Sequence, residues 1–155
     1  MELERLPSII LAMAEHRSLG AVLKEIIAAV ARQPGVALAR LWLHESDEAC
    51  PVCAQQELSS EVALHLRASA GNPLKAGEEW SRIDGAFHRV ALDRSRLKIS
   101  YMARTGESLL ISDLAHDREW IRNPEWAKHE KVVSFAGHPL LFRGEVVGVL
   151  AAFLR

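Results

Sequence analysis

The sequence predicts an α+β domain: a central antiparallel sheet of five or six strands, N-terminal helices on one face and short helices on the other. Three observations carry this. A chain of 155 residues with 49% hydrophobic side chains has the length and the apolar content for one compact core. Two helical stripes come first, and short strand-like runs separated by turn signals follow. The closing run Glu145 to Leu154 (EVVGVLAAFL) is apolar at nearly every position, as a strand covered on both faces is. The expected organisation is a single domain over 1–155, with helices in 1–33 and the sheet with its short helices in 36–155.

Each element has its own signal. Leu3, Leu6, Ile9, Ile10 and Met13 form a helical stripe that tolerates Pro7 only within its first turns. After Ser18, an N-cap residue, a second stripe runs through Leu19, Val22, Leu23, Ile26, Ile27 and Val30 and ends at Pro34-Gly35. Val36 to His44 (VALARLWLH) reads as a strand with Arg40 and His44 on the face of Val36, Leu38 and Trp42. Glu45 to Glu61 is a polar loop, and Val62 to Ala70 returns antiparallel before Gly71-Asn72-Pro73. Phe87 to Leu92 is a weak strand, and Leu97 to Arg104 a small helix stopped by Gly106. Leu109 to Ile111 is an edge strand or connector. Arg118 to Glu130 forms one or two short helices broken at Asn123-Pro124. Ser134 to Phe142 and Glu145 to Leu154 form a hairpin through Arg143-Gly144.

Composition narrows the function. A net charge of −1 with 25% charged residues disfavours both disorder and a nucleic-acid surface. No run of about 18 apolar residues is present to span a bilayer, and Met1 is followed by Glu2, Glu4 and Arg5 rather than a basic and apolar leader, so a cytoplasmic protein is expected. The two cysteines exclude a multi-bridge disulfide framework.

Cys50-Pro51-Val52-Cys53 is the sharpest local feature. Two thiolates at this spacing chelate one tetrahedral zinc or close a reducible disulfide. His44 and His65 are the candidates to complete a four-ligand zinc site; a free thiol pair and a redox switch are the alternatives. The other histidines have no metal-binding spacing, and His138 stands apart by falling in a strand expected to be buried.

From Ile99 onward three segments resemble one family: Ala103-Arg104-Thr105-Gly106-Glu107-Ser108-Leu109-Leu110-Ile111 with Ser112-Asp113-Leu114; Ser134-Phe135-Ala136-Gly137-His138-Pro139-Leu140-Leu141; and Arg143-Gly144-Glu145-Val146-Val147-Gly148-Val149-Leu150. In this order they resemble the GAF domains, small-molecule-binding sensor modules of bacterial signalling proteins and phosphodiesterases. The resemblance implies a pocket between the sheet and the short helices of 97–130, with Tyr101, Asp113, Trp120, Trp126, Phe135 and His138 near it. Asp113 has a structural reading as well, as the cap of the turn that follows it. Covalent bilin attachment would need a cysteine in this half, and none follows Cys53. The cysteine loop resembles an insert in some GAF domains of transcriptional activators and sensor kinases that leads into a "CLHL-ASAG" strand. Leu64 to Gly71 keeps that strand, with Ala63 where such relatives have cysteine.

The family resemblance implies a non-catalytic sensor that binds a small molecule and passes its state to an output domain of a longer protein, such as a transcriptional activator or histidine kinase. A homodimer through the first helix is expected, since its apolar stripe would otherwise be exposed. The alternatives are a cysteine-based redox or zinc-responsive domain, a GAF-fold methionine sulfoxide reductase and an interaction-only module.

Overall fold

The computed structural model describes residues 18–54, 61–93, 97–117 and 120–155. The first predicted helix, Leu3 to Glu15, and the dimer contact expected of it lie outside these residues. Helix α1 spans Leu19–Ala31, and the Ser18 side chain accepts the Ala21 amide at 3.2 Å, as an N-cap does. The chain then turns at Gly35, whose φ of +83° suits a residue without Cβ.

Six strands follow: β1 (Val36–Ser46), β2 (Val62–Gly71), β3 (Arg89–Val90), β4 (Leu109–Ile111), β5 (Ser134–Phe142) and β6 (Glu145–Leu154). They form one sheet in the order β3-β2-β1-β6-β5-β4, and every neighbouring pair is antiparallel. Between them lie a 3₁₀ turn (Asp47–Ala49), helix α2 (Lys98–Thr105) and helix α3 (Pro124–His129). Gly106, at φ +69°, ends α2, and Asn123 caps α3 by accepting the Trp126 amide at 3.0 Å. Most element bounds fall within a few residues of the sequence expectations, with β1 running two residues further, to Ser46; the strand expected over Phe87 to Leu92 is only Arg89–Val90, and of the helices expected over Arg118 to Glu130 the described residues form Pro124–His129.

Alternation along the central strands separates two cores. Ala39 and Leu41 of β1 join Ala68 of β2 against Leu23, Ile27 and Ala31 of α1. On the opposite face Trp42, Leu64, Leu66, Phe135 and Val149 pack under Ile99 and Met102 of α2 and Ala127 of α3. No helix among the described residues is long and apolar enough to cross a membrane.

Close approach of β1 and β6 rests on Gly148, paired with Leu43. A Cβ there would stand 2.5 Å from the Trp42 carbonyl oxygen, an atom fixed in the middle of the sheet, and 3.2–3.3 Å from the side chains of Leu43 and Leu140. Gly148→Ala is therefore expected to destabilise by about 1–3 kcal/mol, the range of core overpacking. A urea titration of both variants checks this: Gly20→Ala, where an added Cβ meets nothing within 4 Å on α1, leaves stability unchanged or raises it.

Candidate functional site

Between the sheet and the short helices lies a cavity of about 280 Å³. Its floor comes from alternate residues of β1, Leu38, Arg40 and Trp42, with Phe153 of β6 beside them. Trp80 and Phe87 close one side from the segment between β2 and β3, and Leu97 and Lys98 bring in the start of α2. Trp120 and Trp126 close the other side. Pro124 starts α3 between these two, so Trp120 lies before the helix and Trp126 in its first turn, which lets residues six apart face one space. All four tryptophans of the chain therefore line the cavity.

The polar groups of this aromatic chamber are mostly cationic. Arg40 donates Nε–H to Ser69 Oγ at 3.3 Å, and its guanidinium lies 5.3 Å from the centroid of the Phe87 ring. Arg122 sits over the same ring at 5.3 Å, at the exposed mouth. Lys98 donates to the Trp120 carbonyl and stands 5.1 Å and 5.7 Å from the Phe135 and Phe153 rings. Burial pulls the Arg40 guanidinium below its ordinary value and the Lys98 ammonium down to about 8. No carboxylate is among the lining side chains, and among the described residues none pairs with either cation. Two half-buried cations without an acidic partner suit an anionic guest, which would restore the charge balance lost on leaving water.

The residues expected near the pocket divide. Trp120 and Trp126 line it. Phe135 is fully buried beneath the wall, against Phe153 at 5.1 Å. Tyr101 packs edge-on against Trp120 and turns its hydroxyl outward to donate to Glu107 at 2.8 Å. Asp113 is exposed and caps its turn, accepting the Ala115 amide at 2.9 Å and bonding the His116 ring at 2.6 Å. His138, expected in a buried strand, is exposed and bonded to Ser108. Its cross-strand partner is Leu150 on the α1 side of the sheet, but α1 packs over β1 and β2 and leaves this part of β5 uncovered.

The second cluster surrounds the cysteines at the β3 edge. Cys50 and Cys53 are both buried, and their sulfurs lie 3.2 and 3.3 Å from Nε2 of buried His88. Nδ1 of His88 is 2.6 Å from the Ile83 carbonyl, which only accepts, so Nδ1 carries the proton and Nε2 presents its lone pair to the two sulfurs. The ligand atoms of these three residues lie within 4.8 Å of one another, close enough to hold a metal ion. Burial and the neighbouring Cys50 thiol push the Cys53 thiol up to about 11.

Sequence reasoning placed His44 where His88 stands. His44 instead reaches toward β6, with Nδ1 3.2 Å from the Val146 carbonyl, because β6 is the neighbour of β1 on that side. His65 is nearer to expectation. A His65 nitrogen lies within 4.8 Å of the Cys50 sulfur and one within 4.8 Å of the Cys53 sulfur, in groups with Glu45 and Asp47 respectively, but none is that close to both sulfurs or to a sulfur and His88 together. His88 escaped notice because no local spacing links it to the cysteines; the pairing of His65 with Arg89 across β2 and β3 brings it there. Arg40 and Lys98 carried no motif either, and the alternation of β1 was the available signal for Arg40.

The GAF domain family model matches residues 18–154. The chain belongs to the GAF domain family. Among solved structures, the fold is similar to a free methionine-R-sulfoxide reductase from Neisseria meningitidis in complex with its substrate, at 20% identity over 97% of this chain and 71% of that one, with a TM-score of 0.63. The GAF domain of a phosphoenolpyruvate-protein phosphotransferase from Coxiella burnetii gives 16% identity, 98% and 76% coverage and a TM-score of 0.65. The corresponding Acinetobacter GAF domain gives 19%, 98% and 75%, with 0.62. No curated protein matches this chain. At these identities the structural neighbours establish the fold; the chemistry of this GAF domain rests on its own cavity and cluster.

Lys98 supplies a test of the cavity's electrostatics. With its ammonium pulled down to about 8, the lysine is charged below that pH and neutral above it. Tryptophan fluorescence is expected to change with a midpoint near pH 8, since the ammonium bonds the Trp120 carbonyl and all four indoles face the cavity. The transition should be missing in Lys98→Met.

Proposed function

We propose that this GAF domain is a non-catalytic cytoplasmic sensor whose cavity binds a small organic anion with a flat apolar body, and that the bound state is relayed to an output domain in signal transduction. The observation that carries this reading is the pairing of Arg40 and Lys98 with aromatic walls and no lining carboxylate. Flat rings find stacking partners in the tryptophans, and an acidic group finds charge-assisted hydrogen bonds, each worth about 1.5–3 kcal/mol.

The relay has a physical route. Helix α3, which walls the cavity through Trp126, is followed by its C-cap Glu130, and the Glu130 carboxylate accepts from Arg155 at 2.9 Å and from the Leu74 amide at 2.9 Å. Arg155 also donates to the carbonyls of Glu130 and Asn72 at 2.8 and 2.7 Å. A guest that draws α3 onto the sheet therefore pulls on the end of β6. Transcriptional activators and two-component histidine kinases are the outputs that fit such a module, with a homodimer formed through the segment before α1.

The reductase reading needs a thiolate in the substrate cavity. Neither Cys50 nor Cys53 lines it, and both turn to His88. The specific observation in favour of a second property is that cluster: two thiols and an imidazole with its free nitrogen aimed at them suit zinc, a borderline-soft ion that takes sulfur and nitrogen. We assign zinc binding to Cys50, Cys53 and His88 beside the sensor role.

Titration with 2-naphthoate and its neutral amide, followed by tryptophan fluorescence, tests the anion reading. The carboxylate is expected to bind at least about tenfold more tightly than the amide, about 1.4 kcal/mol. Arg40→Met should remove most of that preference. The naphthoate advantage should also shrink as pH rises through about 8, where free Lys98 loses its charge. Equal affinities for acid and amide would reject the reading.

A further inference from the structure

The imidazole of His65 is fully buried, and its Nδ1 is the only buried side-chain nitrogen or oxygen among the described residues without a hydrogen-bond partner. An orphaned buried polar atom costs about 1–3 kcal/mol, and a native fold keeps one for a reason. The other ring nitrogen, Nε2, lies 2.8 Å from Asp47 Oδ1. With a carboxylate as the acceptor, Nε2 carries the proton and Nδ1 is left with a lone pair and no donor in reach.

We propose that Nδ1 of His65 is the fourth ligand of a closed four-coordinate zinc-class site with Cys50, Cys53 and His88, and that this site holds Phe87 in the wall of the anion cavity. The inference rests on the zinc reading above and extends it. The dimensions fit. Zinc–sulfur and zinc–nitrogen bonds of about 2.3 and 2.0–2.1 Å at a tetrahedral angle put ligating N and S roughly 3.5 Å apart, and two ligating imidazole centroids roughly 5 Å apart. The Nε2 of His88 is 3.2 and 3.3 Å from the two sulfurs, and the His65 and His88 rings are centred 5.7 Å apart.

The neighbouring carboxylates are already committed. Asp47 accepts from Arg89 Nε at 2.8 Å and Nη2 at 3.3 Å as well as from His65. Glu45 is held by both its oxygens on Arg67 Nη1, at 2.7 and 2.8 Å. Asp47 is therefore a positioning residue that fixes the ring and tautomer of His65, as His88 is fixed by the Ile83 carbonyl; outer partners of this kind are the usual company of metal-bound histidines. Charge balances too. Two thiolates neutralise a divalent ion, and Asp47 is offset by Arg89, so a closed site can stay buried without net charge.

The link to the cavity is one peptide long. Phe87 precedes His88, its ring lies under the Arg40 and Arg122 guanidiniums, and its carbonyl accepts the Trp42 indole N–H at 2.9 Å. Backbone bonds from Leu66 N to His88 O at 2.7 Å and from His88 N to Gly85 O at 3.0 Å, with the Nδ1 bond to the Ile83 carbonyl at 2.6 Å, also hold the segment. Ligation of Nε2 ties the other end of the ring to the cysteine loop.

The test uses wild-type protein with ¹⁵N-labelled histidine, loaded with ¹¹³Cd as the spectroscopic stand-in for zinc. One-bond coupling of cadmium to two nitrogens, Nε2 of His88 and Nδ1 of His65, is the expected result. Coupling to His88 alone would overturn the fourth ligand while leaving the zinc reading in place, and no coupling to any histidine would overturn both. A second arm compares 2-naphthoate binding before and after chelation. Affinity is expected to fall at least about tenfold on metal removal and to return with added zinc; an unchanged affinity in protein confirmed to have lost its metal would overturn the hold on Phe87. Asp47→Asn should weaken metal binding by about 10–100-fold, the usual effect of losing an outer partner.

Discussion

The structure depends most on the two-residue alternation of β1 between its two partners. Paired with β2 on one side and β6 on the other, β1 has no freedom to slip without moving every side chain to the opposite face. That register sends Ala39 and Leu41 into the α1 core and Leu38, Arg40 and Trp42 into the cavity floor. Gly148 secures the close approach that the register needs, and the irregularity between Leu41 and Trp42 lets β2 turn Leu66 and Leu64 toward one core and Ala68 toward the other.

Two places in this otherwise well-packed domain depart from what packing alone would choose. One is the cavity, where Arg40 and Lys98 give up water for aromatic faces, a hydroxyl and a carbonyl. Cation–π contacts and neutral hydrogen bonds offset only part of the desolvation of a charge. The other is the cluster of Cys50, Cys53, His65 and His88, where a buried nitrogen has no partner and two thiols share one imidazole nitrogen. Local departures of this kind concentrate where a fold does chemistry or binding, and here the two are joined through the Phe87–His88 peptide.

Much of the frame was legible in the sequence because its signals are local. Ser18 caps α1, Gly106 stops α2, Asn123-Pro124 starts α3, and Arg143-Gly144, both at positive φ, turn the last hairpin. The site was less legible because it is assembled from distant segments. Trp120 and Trp126 were recognisable through the family resemblance, whereas His88 reaches the cysteines only through pairing at the sheet edge. Lys98 falls inside the helix predicted over Leu97 to Arg104 with no local signal of its own, and it is the fold that places the Phe135 and Phe153 rings beside it. His138 misled for the same reason: an apolar stretch of strand reads as buried, and which part of the face a helix covers is decided elsewhere in the chain.

The central claim is that the two cavity cations take the acidic group of a flat organic anion. The most direct measurement is a crystal structure of the domain with 2-naphthoate bound. The account predicts the ring system among the tryptophans and the carboxylate within hydrogen-bonding distance of Arg40, Lys98 or both. A carboxylate turned to solvent at the cavity mouth, or a naphthoate seated elsewhere on the domain, would contradict it.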